Sequence, residues 1–187
     1  AIGDTLYLGH VSNSEEKELW KSDGTTSGTM LVKDINSGTG NGLSTTPAYY
    51  AIGNTVYFIA DDGTNGFELW KTDGTASGTM MVKDINSGSA SSIVNCMSGG
   101  QKNSHCVVFN NNLYFQADDG TNGNELWNSD GTASGTVMVK DIHSGSGNAY
   151  PGEFRVLGNT LYSRANDVIN GPELWKTDGT ASCTVMV

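Results

Sequence analysis

The chain has 187 residues, with 20 acidic and 10 basic side chains and a formal net charge of −10. A surface this acidic repels phosphate backbones, and no Lys/Arg cluster offsets it, which argues against a nucleic-acid partner. No apolar run approaches the roughly 18 residues needed to cross a bilayer, so membrane insertion is not expected. Gly is abundant at 25, Pro is scarce at 3, and 36% of residues are hydrophobic. Short apolar runs between Ser, Thr, Asn and Gly indicate a turn-rich all-β chain and not a helical bundle.

Taken in chain order, the predicted elements repeat one pattern. The first unit has a tight turn at Gly3-Asp4, a strand around Tyr7, the stretch ELWKSDGT at 18–25 and a strand around Val32. The second unit is the clearest. PAYYAI (47–52) is a short apolar run, Gly53-Asn54 a two-residue turn, and TVYFIA (55–60) alternates β-branched and aromatic residues. DDGTNG (61–66) is a turn, FELWKT (67–72) a strand, Asp73-Gly74 a turn, and TMMVKDI (79–85) a fourth strand. The third and fourth units repeat the series from the turns Asn110-Asn111 and Gly158-Asn159, with ELWNSDGT at 125–132 and ELWKTDGT at 173–180. The first-hairpin turns use residues that tolerate positive φ, as a tight hairpin requires.

The spacing ties the units together. Tyr7, Tyr57, Tyr114 and Tyr162 each precede a Trp by 13 residues, namely Trp20, Trp70, Trp127 and Trp175. An Asp follows each Trp three residues later (Asp23, Asp73, Asp130, Asp178), and a Val twelve residues later (Val32, Val82, Val139, Val187). The Trp-to-Trp steps are 50, 57 and 48. A four-stranded antiparallel meander at this period is the signature of a β-propeller blade. One small sheet cannot bury both its faces alone, which explains why these strands are apolar on both sides. The expected architecture is therefore an all-β propeller of four blades, at approximately 1–46, 47–92, 104–148 and 149–187, with an insertion at about 93–106. A stacked β-solenoid is the less favoured alternative. Ala1-Ile2 aligns with the end of a first strand and Val187 falls short of the Lys-Asp-Ile that closes the other units. Four blades in this length suit a closed ring, and a segment of a larger propeller or repeat array is the alternative.

The recurring E-L-W-x-x-D-G-T, followed by G-T and V-K-D-I, resembles the ELWxxDGT repeats found in large secreted or surface proteins, mostly microbial and some described as hyalin-like. The resemblance spans essentially the whole chain, with Cys183 standing where the other units have Gly28, Gly78 and Gly135. It implies an extracellular repeat module and brings no catalytic residues.

The repeated residues are expected to be structural. Each Leu-Trp pair points its side chains at opposite neighbouring blades. Glu18, Glu68, Glu125 and Glu173, if buried, must accept hydrogen bonds or pair with a Lys. The Asp of each DGT is expected to hold the amides of its own turn, helped by the Thr. DDGTNGFE (61–68) and DDGTNGNE (118–125) offer Asp61, Asp62, Asp118 and Asp119 as calcium ligands, without the EF-hand spacing. The competing reading is a hairpin loop that uses Asp, Asn and Gly for turn geometry. No other cofactor is implied. Cys96 and Cys106 bracket MSGGQKNSH and are expected to form a disulfide, which fits an oxidising, extracellular setting and contributes about 2–3 kcal/mol in the chain-entropy model. Cys183 is expected either to be buried or to bond to another chain. His10, His105 and His143 lie in unrelated contexts, and no H-E-x-x-H, G-x-S-x-G, P-loop or dinucleotide motif occurs.

Three function classes follow. The first is a non-enzymatic extracellular structural module, docking other proteins or copies of itself in a matrix, filament or mineral-associated assembly. The second is a lectin-like binder of glycans in blade-to-blade pockets. The third is a hydrolase at a central channel. The first fits the repeated chemistry best, and the unrepeated loop at 96–106 is its expected partner contact.

Overall fold

The computed structural model describes residues 1–11, 16–93 and 105–187. These residues form fifteen strands and no helix, arranged as one three-stranded and three four-stranded antiparallel sheets. The first sheet holds β1 (Leu6–Val11), β2 (Lys17–Ser22) and β3 (Met30–Lys33). The second holds β4 (Tyr50–Ile52), β5 (Thr55–Asp61), β6 (Phe67–Thr72) and β7 (Met80–Lys83). The third holds β8 (Cys106–Phe109), β9 (Asn112–Asp118), β10 (Asn124–Ser129) and β11 (Val137–Lys140). The fourth holds β12 (Gly152–Leu157), β13 (Thr160–Asn166), β14 (Pro172–Thr177) and β15 (Val185–Met186). Each sheet is a plain meander in chain order, as the turn spacing requires. Only an isolated bridge between Ile2 and Thr5 stands where the first sheet would have its first strand.

Strand chemistry explains the pairing. Gly3, Gly53 and Gly158 adopt positive φ at the first hairpin, and in the third unit both Asn110 and Asn111 do so. The third and fourth strands of each complete unit meet with a register shift between the Leu and the Trp, at Leu19/Trp20, Leu69/Trp70 and Leu126/Trp127. Alternation then sends the two side chains to different cores. Leu69 joins the cluster shared by the second and third sheets, while Trp70 joins the one shared by the first and second. Trp127 and Leu126 divide in the same way between the second and third seams.

The sheets therefore follow one another in an open series with three apolar seams. The expected closed ring of four is not formed among the described residues. Leu19, Leu69 and Leu126 are at most 1% exposed, whereas Leu174 of the fourth sheet is 50% exposed. Among the described residues no sheet packs on the Leu side of the fourth sheet, and on the Trp side of the first the His10 ring meets Trp20 edge-on with centroids 4.9 Å apart.

The fourth unit's loop at 166–171 departs from DDGTNG in sequence but keeps its conformation. Val168 sits at φ 76, matching Gly63 at φ 81 and Gly120 at φ 80. A β-branched residue in this left-handed region is strained by about 1–2 kcal/mol. Val168 is largely exposed, so it gains no burial in return. Val168→Gly should therefore raise stability by about 1 kcal/mol, after allowing for the extra freedom glycine adds to the unfolded chain. A thermal or urea midpoint below that of the parent would contradict this account.

Candidate functional site

The Glu of each ELW motif is a latch. Glu18 accepts from the backbone N–H of Ile35 at 2.7 Å and of Gly42 at 2.7 Å. Glu68 accepts from Ile85 N–H at 3.1 Å, Asn86 N–H at 3.3 Å and Ser92 N–H at 3.2 Å, and also from the Ser92 hydroxyl. Glu125 accepts from Ile142 N–H at 2.7 Å, His143 N–H at 3.2 Å and Ala149 N–H at 3.2 Å. The donors lie 17 and 24 residues after each Glu, on the segment that leaves one sheet for the next. The same segments reach both sheets through their backbones. Leu43 donates to Lys17 O while Gly42 O accepts from Asp61, and Ser92 and Ala149 play the equivalent parts in the second and third units. The carboxylate thus bonds backbone amides, with Ser92 the one hydroxyl donor. Glu173 is exposed.

The DGT turns close on themselves. Asp73 Oδ1 accepts from Thr75 N–H at 2.9 Å and from the Thr75 hydroxyl at 2.7 Å, and the same pair recurs at Asp23, Asp130 and Asp178. A Cβ on Gly78 would sit 2.1 Å from Asp73 Oδ1, which explains the glycine five residues on. Cys183 occupies that slot in the fourth unit, where its N–H to Thr180 Oγ1 lengthens to 3.3 Å from the 2.9 Å of the second unit. Cys183 is exposed, which removes the expectation of a buried thiol.

Beside each turn, a hydroxyl pair spans the third and fourth strands: Ser22–Thr29, Thr72–Thr79, Ser129–Thr136 and Thr177–Thr184, each at 2.7 Å. Sequence reasoning passed over these residues, although the Ser/Thr before each Asp-Gly and the Thr seven residues later repeat as regularly as the Trp.

The lysines, also passed over, stitch the seams. Lys33, Lys83 and Lys140 lie 5.7, 5.6 and 5.8 Å from the ring centroids of Trp70, Trp127 and Trp175 in the following sheet. Their ammonium groups also donate to the carbonyls of Thr79, Thr136 and Thr184 at 2.7–2.8 Å. Lys21 and Lys71 donate across the seam to Gly74 O and Gly131 O, each at 2.8 Å. The Tyr7, Tyr57 and Tyr114 hydroxyls come so close to Gly74, Gly131 and Gly179 that a Cβ there would lie 2.5, 2.1 and 2.4 Å away. Glycine is required twice over at Gly131, by this approach and by its φ of 89. All four indole N–H groups are buried without a protein acceptor.

The proposed calcium ligands turn inward on their own loops. Asp61 Oδ1 accepts from Gly63 N–H and Asp118 Oδ1 from Gly120 N–H. Asp62 Oδ1 accepts from Thr64 and Asn65 N–H and its Oδ2 from Asn65 Nδ2, and Asp119 does the same with Thr121 and Asn122. Asp167 with Ile169 and Asn170 repeats the arrangement in the fourth unit. Among the described residues no three His, Cys, Asp or Glu side chains are grouped to hold a metal ion. The expected disulfide and the loop at 96–106 rest on Cys96 and on residues 94–104, which lie outside the described residues; Cys106 is buried at the start of β8.

These features define an all-β repeat protein whose motif residues join sheet to sheet. No protein-family model and no curated protein matches the chain.

The latches make stability depend on pH. Burial raises the carboxyls of Glu18, Glu68 and Glu125, against the pull of the amides that donate to them; Asp34 and Asp141 add repulsion at Glu18 and Glu125. Glu125 is pushed from 4.5 to about 7. A raised carboxyl contributes stability that is fully present below its unfolded value and is lost as pH rises through the folded one. The turn aspartates Asp23, Asp73 and Asp130 are lowered by their Thr partners, so their contribution is lost as pH falls below 3.8. The thermal midpoint should therefore be highest near about pH 5, lower at about pH 8, and lower again below about pH 3.5. A midpoint that rises steadily to pH 8 would show that the donated amides outweigh burial at these carboxyls. Glu68→Ala, which leaves the buried Ile85 and Ser92 amides unpaired, should cost on the order of 3 kcal/mol in denaturant unfolding.

Proposed function

We propose that the four sheets are blades of a β-propeller, forming an arc rather than a closed ring, and that the protein is a non-enzymatic extracellular module. Its work is to dock partner proteins in a matrix, filament or mineral-associated assembly. The contact of β8 with both β4 and β12 supports the blade reading, because propeller blades bring their first strands together around an axis. One observation carries the docking reading. The repeated Glu and Asp carboxylates are occupied by latches and turns, so the repeated chemistry joins sheet to sheet instead of facing a substrate. The resemblance to ELWxxDGT repeats of secreted and surface proteins supports the extracellular setting, as do cysteines at 96 and 106.

A lectin-like reading is favoured by one feature. A cleft of about 410 Å³ opens between the second and third sheets, lined by Tyr57, Lys71, Asp73, Asp130 and Thr132 among others. Its residues recur along the chain, which suits repeated sugars bound with avidity.

Amine-reactive cross-linking in the natural source material separates the readings. Docking predicts links from exposed lysines such as Lys176 to a second polypeptide, with Lys21 and Lys71 far less reactive because they hold carbonyls across seams. Saturable binding on a glycan array, with no protein link at Lys176, would replace docking by the lectin reading.

A further inference from the structure

We propose that the seam between the third and fourth sheets holds a binding site for a primary ammonium group, at the place where the two earlier seams seat a lysine of the chain itself. The site goes beyond the docking reading and does not depend on it.

The first and second seams build one cation position in the same way. The Lys after each Trp reaches forward, and its ammonium donates to the carbonyl of the DGT glycine on the next sheet. Lys21 donates to Gly74 O and Lys71 to Gly131 O, each at 2.8 Å. A tyrosine hydroxyl from the same side closes on the same glycine, Tyr7 at Gly74 and Tyr57 at Gly131. The carboxylate before each glycine feels the lysine as well. Asp73 and Asp130 are lowered first by their Thr partners, and Lys21 and Lys71 add their attraction to that.

The third seam keeps this frame and lacks the lysine. Tyr114 closes on Gly179 as Tyr7 and Tyr57 do on their glycines. Lys140 reaches Thr184 O at 2.7 Å, matching the 2.7 and 2.8 Å of Lys33 and Lys83 in the earlier seams. The two sheets have therefore not closed up over the change. The residue after Trp127 is Asn128, with a shorter side chain and no charge. Among the described residues no lysine donates to Gly179 O. Asp178 is lowered by Thr180 and Cys183, without a lysine. The same carbonyl and carboxylate positions face an ammonium in both sister seams, which fixes the chemistry of the occupant.

An ammonium brings three N–H donors. Gly179 O, the Asp178 carboxylate and Asn128 Oδ1 offer an acceptor for each. In the second seam a cleft of about 410 Å³, lined by Lys71, Met80 and others, remains with Lys71 already in place. The third-seam counterpart of Met80 is Val137, which is 45% exposed and gives an alkyl stem an apolar surface to lie on. That surface favours an alkylammonium over a hydrated metal ion. So does the lack, among the described residues, of three grouped His, Cys, Asp or Glu side chains. The ligand is therefore a lysine side chain of a partner protein or a small alkylamine.

Proton–nitrogen NMR spectra of the whole chain test the site at about pH 6, where the carboxylates are ionised and the amines protonated. The probes are n-butylammonium chloride and Nα-acetyl-lysine methylamide, each added to about 100 mM and compared with sodium chloride at the same ionic strength. The expected result is a saturable shift of the Gly179 and Thr180 amides, with Gly74 and Gly131 unmoved because their carbonyls already hold a lysine. Asn128→Lys should supply the ammonium from within and weaken probe binding by about tenfold or more. Lys71→Asn should open the same site in the second seam, so that Gly131 and Thr132 begin to respond. Tighter binding of the lysine derivative identifies a partner's lysine as the source, and tighter binding of butylammonium a free amine; either upholds the site. No saturable shift at Gly179, an equal shift with sodium chloride, or undiminished binding by Asn128→Lys overturns it. Circular dichroism checks the fold of both variants. Asn128→Lys restores the residue that the sister seams carry, and it decides alone if Lys71→Asn does not fold.

Discussion

The structure depends on the carboxylate-to-amide latch at the Glu of each ELW motif. The segment that passes from one sheet to the next has no sheet of its own, so its backbone donors would be buried unpaired without a partner from elsewhere. Glu18, Glu68 and Glu125 supply that partner from the third strand of the departing sheet. Because the same segment then bonds the next sheet through its backbone, the latch sets where that sheet sits. Burying a carboxylate is costly unless several donors meet it. Two to four donors converge on each of these, and burial still raises the carboxyls against them. The connection is held tightly, at the expense of stability above neutral pH.

Once the crossing segments are fixed, the seams follow a directional code. Leucine, tyrosine and lysine project forward; tryptophan, glycine and carbonyl oxygens receive them. A code of this kind has no internal terminator. It explains why each sheet is apolar on both faces and why a single unit cannot bury both of them alone.

Much of this was legible in the residues. The four-fold Tyr, Trp, Asp and Val spacing places the strands, the division of Leu and Trp between opposite seams, and the self-contained DGT turns. The loop at 166–171 shows the limit of reading letters. Val168 disguises a conformation that Asp167 and Asn170 preserve, because the side-chain hydrogen bonds of that loop, not the glycine, set its path. Lys33, Lys83 and Lys140 recur beside the Val of each unit, and Lys21 and Lys71 after the Trp, with Asn128 in the third unit. Only the spatial neighbour in the next sheet, a carbonyl and an indole remote in sequence, shows what they hold.

The sequence by itself determined the local structure: period-two strands, tight turns, repeat length and the identity of the residues that must be buried somewhere. These are set by contacts within a few residues or by strict spacing, which a single chain displays directly. The tertiary structure alone decided which amides the glutamates meet and that, among the described residues, the first and fourth sheets do not close on each other. Those outcomes depend on the rotation accumulated from sheet to sheet. That angle is a sum over many packed side chains and leaves no mark at any one position in the sequence.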